Sequence, residues 1–203
     1  MMQRFMAAAA VVVTAVAGTA AQDPLVTLPE AYKLQFENDA VKVVRVELAA
    51  GAKLPDHTHP AGTTVYVYLN DSDGVIFAHS GNINRSVTRP PVKIGAVRVS
   101  SGPEEHHTVE NPSKEPSRFL RIWFKSDTSG ARNVRARLSP TDNEFSNKQL
   151  RITRLRGGET IDAKDAPALV VKLPSGETEW VTRGQRATVD SHVLRIDVLV
   201  PMK

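Results

Sequence analysis

Between residues 41 and 125 the chain alternates apolar and polar positions with a period of two, in short runs broken by turn residues. VKVVRVEL (41–48) is a β-branched run that ends at Ala49-Ala50-Gly51. TTVYVYL (63–69) closes on Asn70-Asp71-Ser72-Asp73-Gly74, a strong turn signal. GVIFAHS (74–80), VKIGAVRVS (92–100), HHTVEN (106–111) and RFLRIWFK (118–125) continue the pattern. No stretch of this region keeps a helical period long enough to compete. Short strands at close spacing predict an all-β sandwich or barrel. Residues 126–149 are polar and turn-rich and read as a connector with room for one short helix.

After the connector the pattern partly restarts. LRITRLRGGETIDAKDAPALVVKLPSGETEW aligns with VKVVRVELAAGAKLPDHTHPAGTTVYVYLNDSDG so that Arg154 falls near Arg45, Gly158 on Gly51 and Pro167 on Pro60. Lys164 then takes the place of His57, and Ala166 that of His59. GQRATV (184–189) and HVLRIDVLV (192–200) supply two further strands. Residues 150–203 therefore read as a shortened second copy of the first unit without its histidines. The alternative is that they add strands to the first sheet.

The first 21 residues lie outside this scheme. Arg4 precedes an apolar block from Met6 to Ala17, and small residues lead up to Gln22. This is the layout of a secretory signal peptide over residues 1–21, and the block is too short and Ala-rich to span a bilayer well. The expected localisation is periplasmic or secreted, with no integral membrane segment after cleavage. The chain has no cysteine, so its stability must come from core burial and not from disulfides. The net charge of +4 falls to about +3 once Arg4 leaves with the signal. Arginines gather at Arg132, Arg135 and Arg137, and again at Arg151, Arg154 and Arg156. Aromatic residues make up only 5% of the chain, too few to interleave with them as a nucleic-acid groove requires. No nucleic-acid partner is expected; a solvated basic face, or contact with anionic envelope material, is.

Two of the six histidines, His57 and His59, stand one residue apart between Pro55 and Pro60. In a strand such residues point to one face, so both imidazoles can reach one metal ion at about 2.0–2.2 Å. The prolines restrict the backbone at each end of the pair. His106 and His107, at the start of another predicted strand, offer a third ligand.

With these residues in place the sequence resembles the cupin family, whose motifs are Gly-x5-His-x-His-x3–4-Glu-x6-Gly and Gly-x5-Pro-x-Gly-x2-His-x3-Asn. Gly51, His57 and His59 match the first in type and spacing; for the second the chain has Gly95 and His107, with Asn111 at the expected offset after it, while the Pro-x-Gly is replaced by Ser101-Gly102-Pro103-Glu104. The resemblance covers residues 41–125 and implies a cupin-type jelly-roll barrel over 22–125, followed by the connector and the C-terminal strands of 150–203. It implies His57, His59 and His107 as ligands of one divalent transition metal, with Asn111 setting the register that selects His107 over His106. The family glutamate should fall at residue 63 or 64, and both are threonine. Three readings stay open: a three-histidine site with open positions, a carboxylate restored by Glu105 or Glu104, or a polar pocket without metal. Cupins often pair through barrel edges, so a homodimer is a further expectation.

Tyr66 and Tyr68 share the parity of Thr64 and are candidate catalytic phenols; ordinary barrel packing is the competing role. His79 is a candidate pocket residue. Imidazole ligands suit Fe, Ni, Cu, Zn or Mn. The expected function is a mononuclear, dioxygenase-like oxidation of a small molecule. A non-catalytic metal or ligand binding module and a metal-independent isomerase or epimerase are the alternatives.

Overall fold

A computed structural model of the chain describes residues 23–81, 84–125 and 134–199. The signal-like residues 1–21 and residues 126–133 of the connector lie outside the described residues. A four-residue helix, α1 (Pro24–Thr27), leads into the first unit of nine strands. These are β1 (Tyr32–Glu37), β2 (Val41–Leu48), β3 (Lys53–His59), β4 (Gly62–Tyr68), β5 (Ile76–His79), β6 (Arg85–Thr88), β7 (Val97–Gly102), β8 (Glu105–Glu110) and β9 (Ser117–Phe124). Residues 134–149 hold two short strands, β10 (Arg135–Leu138) and β11 (Glu144–Ser146), where the sequence left room for a helix. The second unit adds β12 (Leu150–Leu155), β13 (Thr160–Asp162), β14 (Ala168–Lys172), β15 (Thr178–Val181), β16 (Arg186–Thr188) and β17 (Val193–Val198). Among the described residues no helix is long and apolar enough to cross a membrane.

The strands form a six-stranded sheet, β1-β2-β9-β4-β7-β10, and a four-stranded sheet, β3-β8-β5-β6. A five-stranded sheet, β11-β12-β17-β14-β15, and a two-stranded one, β13-β16, make up the second unit. The six-stranded sheet is buried on both faces, which explains why β2 and β9 read as nearly continuous apolar runs. One face carries Val44, Val46, Leu48 and Phe119 toward β3, β8 and β5, where Leu54, Val109 and Phe77 complete an inner core. The other face carries Val43, Val65, Val67, Val99, Leu120 and Ile122 against Ile152, Leu169, Val171, Leu194 and Ile196 of the second unit. Leu120 and Ile122 are fully buried at this seam, each contributing roughly 1.5–3 kcal/mol by area.

Polar contacts close the edges of the seam. The β14–β15 turn rests on the first unit: Gln35 Nε2 donates to the Gly176 carbonyl at 2.7 Å, and Arg45 donates to the Ser175 carbonyl. Gly176 has a φ of +73°, and a Cβ there would stand 2.6 Å from Leu69, so only glycine fits. Two arginines of the second cluster are structural. Arg154 donates to the carbonyls of Gly95, Ser139 and Asp142, and Arg151 joins Arg195 on the fully buried carboxylate of Asp197. Inside the second unit Ile161, Ala163, Val170, Val181, Val189 and Val193 form a small apolar core. Ala166 is buried beside it, whereas Lys164 is exposed.

Candidate metal centre

The hairpin-like pair β3–β8 builds the site. Leu54 faces Val109 and His57 faces His107, so three steps on β3 match two on β8. This is a β-bulge, placed at Pro55-Asp56, where a proline is tolerated because the ladder is already broken. The bulge shifts the parity of the strand, so that both Leu54 and His57 face the barrel interior. His59 follows on the same face, opposite Glu105. Across β8, His107 also pairs with His79 of β5, which sets His57, His107 and His79 in one row. Asn111 anchors the end of β8. It is fully buried, its Nδ2 lies within 3.1 Å of the carbonyls of Leu48, Ala49 and Glu115, and its Oδ1 accepts from Ser113 N.

His57, His59 and His107 are 1%, 5% and 2% exposed, and their ligand atoms all lie within 4.8 Å of one another. Their ring centroids are 4.9–5.1 Å apart. Burial pushes all three imidazoles below their usual pKa, and the Arg121 charge adds to the effect. They are therefore neutral, the form that ligates metal. His57 Nδ1 lies 2.9 Å from the Pro55 carbonyl, which can only accept, so Nδ1 carries the proton and Nε2 presents a lone pair. The Tyr32 hydroxyl donates to that Nε2 at 3.0 Å, and burial pushes the phenol's pKa upward, keeping it protonated. Both ring nitrogens of His107 are buried without a hydrogen-bond partner among the described residues. Buried unpaired imidazole nitrogens are costly, and an ion held by one nitrogen from each ring would relieve part of that cost at His107.

The other sequence-predicted residues separate into three places. His106 is on the outer side of β8, its Nε2 2.8 Å from Glu104 Oε1 and its Nδ1 3.4 Å from Thr58, and takes no part in the cluster. Glu105 shares the inner face but its carboxylate does not converge with the histidines. It lines a separate cavity together with Tyr66, Tyr68, Arg89 and Arg98. Tyr66 lies beneath the Arg98 guanidinium at 5.1 Å, and both tyrosines pack on Phe119 at 5.8–6.0 Å. His79 is half-buried, its ring 5.3 Å from that of His107. Thr64 is buried, opposite Trp123 on β9, and leaves the position of the family carboxylate without charge.

Two residues of the site were not anticipated. Tyr32 comes from β1, and Arg121 from the inner face of β9. Both line a cavity of about 280 Å³ with Lys42, Val44, His59 and Trp123. The sequence does hold a signal for Arg121: in RFLRIWFK the inward parity of Phe119 and Trp123 includes an arginine.

The backbone course has counterparts among solved structures. The bacterial pirin YhhW from Escherichia coli, in complex with nickel(II), is 17% identical, covers 82% of this chain and 90% of its own, and superposes with a TM-score of 0.53. YhaK, also from Escherichia coli, is 15% identical over 90% of this chain and 100% of its own, with a TM-score of 0.53. This chain has a cupin-type, pirin-like bicupin fold. No protein-family model matches the sequence, and no curated protein matches it. The first unit holds the three clustered histidines, and the core of the second is aliphatic.

Proposed function

We propose that the protein is a metal-dependent cupin in which His57, His59 and His107 hold one divalent first-row transition metal. The adjoining cavity would present a small organic molecule for dioxygenase-type oxidation. The observation that carries this reading is the convergence of three buried, neutral imidazoles, with both nitrogens of His107 lacking a hydrogen-bond partner among the described residues. Fe, Ni, Cu, Zn and Mn all suit such ligands. Nickel is the first to test, because the similarly folded YhhW is in complex with nickel(II). When bound, such an ion supplies Lewis acidity and, if redox-active, electron transfer.

The chain's own residues prepare the site. The Pro55 carbonyl holds the Nδ1 proton of His57 and fixes the ring's orientation. Tyr32 keeps a proton on its Oη at the cluster's edge, where the hydroxyl would offer a hydrogen bond to a ligand. Leu25, Val44 and Trp123 wall the cavity and limit water. We also infer that the working compartment is periplasmic or extracellular, which the composition of residues 1–21 supports.

The test is elemental analysis of protein purified from its native compartment, followed by oxygen uptake across a panel of diols, flavonols and thiols. Stoichiometric transition metal that vanishes in a His57→Ala/His59→Ala double variant supports the proposal. Trace metal in both proteins overturns it. Stoichiometric metal without oxygen uptake moves the reading to a binding module.

A further inference from the structure

We propose that the cavity beside His59 binds a small organic carboxylate with an apolar body, and that Arg121 is its pairing cation. This deepens the reading above by naming the ligand's class, and rests on it only for the charge of the neighbouring metal.

Arg121 is 7% exposed, its Nε is buried with no hydrogen-bond partner, and among the described residues it joins no ion pair. A buried guanidinium without a counter-ion costs several kcal/mol. Its neighbours offer no acid. Across the inner face it stands between Val44 of β2 and Tyr66 of β4, and the next residue in that row is Arg98 of β7. Thr64, two residues from Tyr66 on the same face, is diagonal to Arg121 and within reach of a long side chain. The family carboxylate would stand there, and threonine brings no charge.

The acids that come nearest are engaged elsewhere. Asp23 lies 3.7 Å from Lys42 Nζ and Glu104 2.8 Å from His106, and both are exposed. Glu105 faces inward but lines the other cavity, with Arg89 and Arg98. A divalent ion among three neutral imidazoles would add further positive charge to this space. The negative charge that balances Arg121 and the metal therefore has to arrive with the ligand. Arginine's planar fork matches a carboxylate with two parallel hydrogen bonds. Pro24, Leu25, Val44 and Trp123 give the rest of the ligand an apolar wall, and about 280 Å³ limits it to a small molecule.

Calorimetric titrations of full-length protein with benzoate, acetate and benzamide, in metal-free and nickel-loaded form, test this. Benzamide has the shape of benzoate without its charge. Benzoate should bind the metal-free protein at least about tenfold more tightly than benzamide, and Arg121→Gln should lose at least about tenfold for benzoate with benzamide unchanged. Arg121→Lys, which keeps the charge but not the fork, should fall between them. Unliganded Arg121→Gln should melt no lower than the parent, because it removes an unpaired buried charge. In the nickel-loaded protein benzoate should bind more tightly still, since each ligand favours the other. Equal binding of benzoate and benzamide overturns the proposal, as does no saturable binding of either carboxylate up to about 10 mM. A lowered melting temperature in both arginine variants would make Arg121 a structural residue and overturn it too. The metal-free titration reads the anion site by itself, so failure of nickel to bind sinks the metal reading and leaves the carboxylate site standing or falling on its own result.

Discussion

Replacing Tyr32 by Phe should raise the protein's affinity for nickel while lowering the stability of its metal-free form. The Tyr32 hydroxyl donates to His57 Nε2 at 3.0 Å, and Nε2 is the nitrogen left free for a metal because Nδ1 is tied to the Pro55 carbonyl. Metal binding must therefore break that hydrogen bond. A buried hydrogen bond contributes about 0.5–1.5 kcal/mol net, and leaving an acceptor unpaired adds to the loss, so the metal-free variant should be less stable by about 1–2 kcal/mol. For a chain of this length that lowers the melting temperature by roughly 2–8 °C. The same free energy no longer opposes the metal, so nickel should bind roughly 5–30 times more tightly. Competitive calorimetry against a chelator and differential scanning calorimetry with and without nickel read the two halves of one cycle. At saturating nickel, parent and variant should melt together, because the gain in affinity offsets the loss of metal-free stability. Weaker nickel binding in the variant would refute the reasoning, because the hydroxyl would then be helping to hold the ion or its ligand.

Three further outcomes follow from the same geometry. His107→Ala should abolish stoichiometric nickel whereas His106→Ala retains it, because His106 sits with Glu104 and Thr58 on the outer side of β8; metal-to-protein ratios after dialysis decide this. Asn111→Ala should destabilise the fold by about 3 kcal/mol, with the slope of urea unfolding unchanged, since it unties β8 from the carbonyls of Leu48, Ala49 and Glu115. Asp197→Ala should cost about 1.5–3 kcal/mol in the same assay, because it removes the buried acceptor shared by Arg151 and Arg195.

The strands that face a core on both sides, β2, β4 and β9, were legible because their β-branched and aromatic runs are mostly buried. Edge strands were not. β1 (YKLQFE) and β6 (RSVT) are mostly half-buried or exposed, so their polar residues mask the alternation. β10 and β11, in the polar stretch after residue 133, are similarly short and are held by pairing with β7 and β12. The histidines could be found from spacing because their motif lies on neighbouring strands with a fixed register, closed by Asn111. Tyr32 and Arg121 reach the site from the opposite wall, and no local spacing encodes that meeting. The bulge at Pro55-Asp56 was likewise hidden, although it is what lets Leu54 and His57 share a face.

The six-stranded sheet divides its labour by parity. On β9, Phe119, Arg121 and Trp123 belong to the chemical chamber, while Leu120, Ile122 and Phe124 belong to the seam with the second unit. Adjacent positions thus serve different surfaces. Odd positions can be exchanged to admit a new ligand while even positions keep the two units fastened, so the second unit, which brings no histidine to the cluster, serves as the backing on which the first can be re-specified.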